Sequence, residues 1–220
     1  MGSMNDMAAA RRNMVASQVR ANDVTDLRIQ DAMGELPREL FVPQAVRSIA
    51  YASESLPLGR GRGLMEPRNF AKLAHAARIK HTEVVLIIGA GTGYGAAVLA
   101  RLADTVVALE EDQAMAREAN TLLVNVGADN AALVTGPLVQ GCPDQAPFDV
   151  IFIEGAVETI PETLFAQLKE HGRLATIVVE HGVGKARIYT KAGGVMSART
   201  VFDGMAPLLP GFAREREFTF

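Results

Sequence analysis

The strongest constraint on the fold is a series of apolar strands that alternate with helical segments from Glu83 onward. "EVVLIIGAG" is rich in β-branched residues and runs into glycine, and the helical segment "YGAAVLARLA" follows it. The alternation returns in "TVVALEED", "AALVTG", "FDVIFIEGA" and "RLATIVVE", with helical patterns in "QAMAREANTLLVNVG" and "IPETLFAQLKEHG" between them. Near-continuous apolar strands need cover on both faces, so the pattern predicts an α/β fold with a doubly wound parallel sheet.

The segments on either side of this region have a different character. Residues from Asn13 to Gly34 show a helical pattern, and "PRNFAKLAHAARI" (67–79) places proline at the first position of a second helix. The tail from Ala186 to Phe220 alternates more irregularly, which favours antiparallel strands. We therefore predict a helical annex with an active-site loop over residues 1–80 and an α/β domain over residues 81–220.

Composition excludes several classes of protein. The 220 residues carry a formal net charge of −3, so nothing favours a nucleic-acid or anionic-membrane partner. No apolar run reaches the ~18 residues of a membrane span, and the opening "MGSMNDMAAARR" lacks a signal core, which predicts a soluble cytoplasmic protein. The single Cys142 excludes an intramolecular disulfide, and the histidines show no metal-binding spacing.

The glycine-rich stretch "GAGTGYG" joins the first of these strands to its helix. It contains Gly89, Gly91, Gly93 and Gly95, and it fits the GxGxxA form of a nucleotide-binding loop when read from Gly91 to Ala96. Missing Cβ atoms let backbone approach a ligand, and the helix start offers free N–H groups. The match is weak alone, since a tight turn that packs helix on strand gives the same pattern.

An acidic residue at the end of the next strand strengthens the nucleotide interpretation. Glu110 lies about 20 residues past the glycines, where a carboxylate accepts hydrogen bonds from ribose hydroxyls. Glu111 and Asp112 also suit a solvated helix start. Loop and acid together indicate a nucleoside cofactor, either NAD or S-adenosylmethionine. The position of the loop after residues 1–80 favours S-adenosylmethionine.

Segments along most of the chain resemble the protein-L-isoaspartate O-methyltransferase family. The resemblance rests on "MVASQVR", "AMGELPRELFVP", "AYASESLPLG", "VLIIGAGTGYGAAVLARLA", "PFDVIFIEGA" and "MAPLLPG". It implies a Rossmann-like methyltransferase sheet and transfer of a methyl group from S-adenosylmethionine to the carboxylate of L-isoaspartyl residues, which begins protein repair. The cofactor contacts that it implies are Gly89, Ala90, Gly91, Gly93, Tyr94, Glu110, Glu111 and Leu138.

Several positions depart from the family pattern. The family's loop reads approximately "LPIGHGQTISQP", whereas this chain has "LPLGRGRGLMEP", so Gly63 and Met65 replace two hydroxyl residues. Ile87 replaces an acid before the glycine loop, Pro137 replaces an acid after the third strand, and Ser53 replaces a common acid near the loop. Each lost hydrogen bond is worth about 0.5–1.5 kcal/mol, so we expect cofactor binding to be weakened or lost unless other groups compensate.

Three residues are candidate replacements with a catalytic role. Arg60 and Arg62 stand beside the missing hydroxyls, and a guanidinium holds a carboxylate with two hydrogen bonds. Glu154 follows an apolar strand and can line the cleft at the carboxyl end of the sheet. The alternatives are a solvated loop for the arginines, a helix cap or surface role for Glu154 and a packing role for Met65.

The sequence leaves four functional hypotheses. The first is a repair-type methyltransferase that acts on an isoaspartyl protein or peptide. The second is a catalytically silent relative that serves as a binding or regulatory module. The third is a methyltransferase for a small anionic substrate, and the fourth is a nicotinamide oxidoreductase, for which no hydride-transfer residues are visible. Oligomeric state is not determined by the sequence.

Overall fold

The computed structural model describes residues 4–214 and contains a mixed seven-stranded sheet with helices packed against it. The strands are β1 Leu56–Gly59, β2 Arg62–Leu64, β3 Val84–Ile88, β4 Thr105–Glu110, β5 Ala131–Thr135, β6 Phe148–Val157, β7 Leu168–Glu180, β8 Val183–Ala192 and β9 Val195–Asp203. The helices are α1 Met4–Met14, α2 Leu27–Glu35, α3 Pro67–Ala77, α4 Tyr94–Ala100, α5 Gln113–Asn125 and α6 Glu162–Ala166. The large sheet has the order β5-β4-β3-β6-β7-β8-β9, and β1 and β2 form a separate hairpin.

The predicted parallel region is confirmed, with an antiparallel edge. Strands β3 to β7 pair in parallel, and β8 and β9 pair antiparallel beyond β7. The irregular alternation after Ala186 therefore does mark antiparallel strands, although residues 215–220 of that tail lie outside the described residues. The helix predicted by "IPETLFAQLKEHG" is too long, because α6 ends at Ala166 and β7 begins at Leu168, which pairs with Phe148 of β6.

The annex differs from the continuous helix predicted between Asn13 and Gly34. A π-helical turn and a 3₁₀ turn follow α1, and the chain then reverses at Asp23, which has a left-handed φ of 63°. Asp26 starts α2 by accepting a hydrogen bond from the backbone N–H of Arg28 at 3.0 Å. The polar stretch between the two helices is therefore a capped turn.

The annex and the sheet share one hydrophobic core. Buried side chains from α1, α2 and α3, including Met33 and Phe70, belong to the same cluster as Val85 and Phe152 of the sheet. A second cluster covers the opposite face of the sheet, around Ile153 and Phe148. Within residues 4–214, no helix is long and apolar enough to cross a membrane.

Candidate active site at the carboxyl end of the sheet

The glycine loop has a backbone that only glycine adopts without strain. Gly89, Gly91 and Gly93 have φ values of 81°, 57° and 96°, in the left-handed region where a Cβ atom is unfavourable. The loop also packs closely, because the N–H groups of Gly89 and Ala90 both donate to the carbonyl of Leu109 at the end of β4. The positive φ values account for these glycines, and the approach of the loop backbone to a ligand stays a prediction.

Glu110 is buried at the end of β4 and accepts hydrogen bonds from four donors. Its Oε2 accepts from the N–H of Gly91 at 2.8 Å, and its Oε1 accepts from the N–H groups of Glu111 and Asp112 at 3.0 and 3.1 Å. The fourth donor is Nη1 of Arg62, at 2.7 Å from Oε1. Glu110, the acid predicted to bind a ribose, therefore lies beside the glycine loop, where Arg62 already pairs with it.

The "LPLGRGRGLMEP" segment is an antiparallel hairpin of β1 and β2 whose two arginines meet two acids. Arg62 is buried, with only 4% of its side chain exposed, and pairs with Glu110. Arg60 at the tip is 61% exposed and pairs with Asp112 at 2.7 Å. Asp112 also caps α5 by accepting from two backbone N–H groups. The alternative that both arginines form a solvated surface therefore holds for Arg60 alone.

Side chains from the hairpin and the C-terminal segment cover the glycine loop. A Cβ atom placed on Gly89 would lie 2.9 Å from Nη2 of Arg62 and from Cδ1 of Leu209, and one on Gly91 would lie 2.9 Å from Cδ1 of Leu58. The approach to the loop is therefore lined by the chain's own side chains, and a ligand that binds Oε1 of Glu110 would meet Arg62 there.

Glu154 lies deeper in the same region, on β6. Its side chain is buried against Gly95, and neither carboxylate oxygen has a hydrogen-bond partner among the described residues. Burial raises the pKa of Glu154 to about 8, although the charges of Arg38 and Arg62 act to lower it. It is therefore neither on the surface nor at a helix cap, which were the alternatives to a role in the cleft.

Comparison with known proteins identifies the chain's relatives. A model of the family described as "Protein-L-isoaspartate(D-aspartate) O-methyltransferase (PCMT)" matches residues 10–204. The chain belongs to this family.

Individual members of the family are similar over most of the chain. A protein-L-isoaspartate O-methyltransferase from Opitutus terrae is 40% identical over 185 residues, which cover 84% of this chain and 79% of the relative. One from Roseiflexus castenholzii is 37% identical over 212 residues, which cover 94% and 95%. A solved protein-L-isoaspartate O-methyltransferase superposes with a TM-score of 0.80 at 26% identity, over 91% of this chain and 66% of that one.

Three of the positions that depart from the protein-L-isoaspartate O-methyltransferase pattern, 63, 65 and 87, are packed against other residues of the chain, whereas Ser53 and Pro137 are exposed. Met65 and Ile87 are both completely buried in the shared core. A Cβ atom on Gly63 would lie 2.7 Å from Cγ of Pro207, so the C-terminal segment occupies the room that a larger residue needs there. Leu138 lies in the apolar cluster on the opposite face, after Pro137, and Glu111 is exposed.

One important residue was not predicted from the sequence. Arg38 is completely buried and donates hydrogen bonds to the carbonyls of Ala50 and Met65, at 2.8 and 2.7 Å. Its guanidinium lies 4.8 Å from the ring centroid of Tyr94, whose hydroxyl has no hydrogen-bond partner among the described residues. Arg38 thereby holds the chain on both sides of the hairpin. The only sequence signal was a charged residue within the apolar, proline-flanked "LPRELFVP".

Proposed function

We propose that this chain is an S-adenosylmethionine-dependent methyltransferase that methylates the carboxylate of isoaspartyl residues in proteins or peptides. Family membership is the observation that carries the proposal. The glycine loop beside the buried carboxylate of Glu110 supports it, because this pairing suits a nucleoside. The same comparisons favour a methyltransferase over a catalytically silent relative.

The residues that we assign to the cofactor are those beside the glycine loop and the end of β4. Glu110 would accept the ribose hydroxyls, and the backbone of Gly89, Ala90 and Gly91 would approach the nucleoside. Tyr94, Gly93, Glu111 and Leu138 remain predicted contacts. When bound, S-adenosylmethionine supplies an activated methyl group, so the protein has to align the carboxylate with it and exclude water.

The roles of Arg60, Arg62 and Glu154 belong to the proposal as well. A carboxylate is already nucleophilic, so no strong base is required, and a guanidinium that orients the carboxylate is sufficient. Arg60 is the more accessible of the two arginines, since its pair with Asp112 faces solvent. We assign Arg60 to the substrate carboxylate. Glu154, which is protonated at neutral pH in this arrangement, lies under the cleft.

A methylation assay with matched peptides tests this function. The full-length protein is incubated with radiolabelled S-adenosylmethionine and either an isoaspartyl peptide or the same peptide with ordinary aspartate. We expect base-labile methyl ester on the isoaspartyl peptide alone. Glu110→Gln, which weakens the predicted ribose acceptor, should lower the rate at limiting cofactor more than at saturating cofactor.

The other hypotheses predict different results in the same assay. A changed substrate would leave both peptides unmethylated while the protein still binds S-adenosylhomocysteine in calorimetry. A silent relative would show neither methylation nor binding at millimolar ligand. Either result would contradict the proposed repair function.

A further inference from the structure

We propose that Arg62 is an internal competitor of the cofactor, which occupies the ribose-binding carboxylate of Glu110 until the β1–β2 hairpin withdraws. The inference rests on the proposed function, because it assumes that Glu110 binds the ribose of S-adenosylmethionine. Arg62 would thereby control the affinity of the protein for its cofactor. This role differs from the substrate-binding role that the sequence predicted for it.

Arg62 holds the carboxylate of Glu110 on the side that faces the cleft. A ribose would need the oxygens of Glu110 that face the cleft, and Oε1 is held by Nη1 of Arg62 at 2.7 Å. The other donors to this carboxylate are backbone N–H groups of the glycine loop and of the start of α5, which do not compete with a ligand in the cleft. Arg62 is therefore the one donor to Glu110 that a cofactor has to replace.

The rest of the Arg62 guanidinium lies over the glycine loop. Nη2 lies where a Cβ atom on Gly89 would come within 2.9 Å, so the guanidinium fills the approach to the first glycine of the loop. Leu58 of the same hairpin stands in the same relation to Gly91. One movement of the hairpin would thus uncover Gly91, release Glu110 and remove Arg62 from Gly89, beside which Leu209 of the C-terminal segment would remain.

The contacts that hold the hairpin over the loop leave a buried donor of Arg62 without a hydrogen bond within residues 4–214. Arg62 is buried, yet its Nε has no hydrogen-bond partner among the described residues. A buried ion pair gains little net stability when some of its donors stay unpaired. The outer pair of Arg60 with Asp112 is largely exposed and is therefore weak. The turn between the strands is also unobstructed, since Cβ atoms on Gly59 and Gly61 would meet nothing within 4 Å.

The contact with Arg62 also stabilises the protein when no cofactor is bound. Without a ligand, an unpaired carboxylate at the position of Glu110 would be costly to bury. Arg62 neutralises it, which keeps the cleft stable and closed. The same contact lowers the apparent affinity for the cofactor, because only the molecules in which the hairpin has withdrawn can bind it.

Calorimetric titration of the full-length protein with S-adenosylhomocysteine tests the inference. The variant Arg62→Gln keeps a polar side chain but removes the ion pair, and we expect it to bind at least fivefold more tightly than the wild type. Arg187→Gln is the control, because it breaks an ion pair with Glu180 between β7 and β8, which lie two and three strands away from β3 in the sheet. The control should bind like the wild type.

The outcomes separate this inference from the function on which it rests. A gain smaller than fivefold, or a loss of affinity, in a wild type that binds would overturn the competition and leave the proposed function intact. Absence of binding in both the wild type and Arg62→Gln would overturn the proposed function and the inference with it. Binding by the variant alone would support the competition, whereas the failure of the wild type to bind would contradict the proposed repair function.

A measurement on the wild type decides the question if Arg62→Gln does not fold. Phenylglyoxal modifies accessible guanidinium groups, and mass spectrometry locates the modified residues. We expect Arg62 to react slowly in the free protein and at least fivefold faster with saturating S-adenosylhomocysteine, relative to the exposed Arg101 on the protein surface. An unchanged or slower reaction of Arg62 would contradict its displacement.

Discussion

Glu154 is the residue whose burial is least compensated by its surroundings. It is 3% exposed, and both of its carboxylate oxygens lack a hydrogen-bond partner in the described part of the chain. Its pKa is raised from 4.5 to about 8, mainly by burial and to a smaller extent by the carboxylate of Glu110, against the lowering effect of Arg38 and Arg62. The folded protein therefore holds a proton at neutral pH that the unfolded chain releases.

This proton makes stability depend on pH, and Glu154→Gln should remove the dependence. Because the folded pKa is the higher one, the contribution of Glu154 is fully present below about pH 4.5 and is lost as pH rises through about 8. We expect the wild type to lose roughly 2–4 kcal/mol relative to Glu154→Gln between pH 5 and pH 8.5. Urea unfolding at a series of pH values measures this difference. Parallel curves for the two proteins would show that Glu154 does not carry the proton.

The β1–β2 hairpin is the element whose contacts the sequence predicted least well. Its glycines and arginines indicated an ordered loop near the cleft, and the hairpin does lie there. The partners of the arginines did not follow from the sequence, because Arg62 and Glu110 are 48 positions apart and no local pattern joins them. A guanidinium beside missing hydroxyls suits a substrate carboxylate and a carboxylate of the same chain equally well.

The strands and helices of the sheet region were predicted more accurately than the contacts of the hairpin. Strands β3, β4 and β6 have apolar patterns that agree with their burial, and the sequence predicted them, the partly exposed β5 and the helices α4 and α5 with nearly correct bounds. The helix α6 was overextended because "LKEHG" has good helix formers, whereas pairing of Leu168 with Phe148 draws this stretch into β7. Burial of Arg38 was missed for a similar reason, since its partners are distant backbone carbonyls.

Packing of the hairpin against the C-terminal segment should make Gly63 intolerant of a larger residue. Gly63→Ala places a Cβ atom within 2.7 Å of Pro207, and we expect a loss of about 1–3 kcal/mol from overpacking. Gly136→Ala is the matched control, since its Cβ would meet only Leu109 at an ordinary 3.6 Å. Thermal and urea unfolding of both variants measure the difference. Equal stabilities would indicate that the segment around Pro207 shifts without cost.

At the scale of the whole molecule, Arg173 of β7 connects the annex to the sheet. Its Nη1 and Nη2 donate to the two carboxylate oxygens of Glu83, at 3.0 and 2.7 Å, just before β3. The same guanidinium donates to the carbonyls of Ala77 and Arg78 at the end of α3. Burial acts to raise the pKa of Glu83, but the hydrogen bonds from Arg173 and the Lys80 N–H outweigh it and lower the pKa. The Arg173 side chain therefore connects the end of α3 and the start of β3 to its own strand, β7.

Removal of this connection should destabilise the molecule more than removal of a local ion pair. We expect Arg173→Met to lose about 2–4 kcal/mol, because it leaves the largely buried carboxylate of Glu83 without its counter-charge and removes the donor to two carbonyls. Arg187→Met, which breaks the more exposed pair with Glu180, should lose less than about 1 kcal/mol.

A double-mutant cycle of Arg173→Met with Glu83→Gln isolates the energy of the ion pair itself. Since the folded pKa of Glu83 is lowered, the coupling energy should be present at pH 7 and decline as pH falls below about 4.5. A coupling energy near zero at pH 7 would show that the annex is held by its apolar core alone.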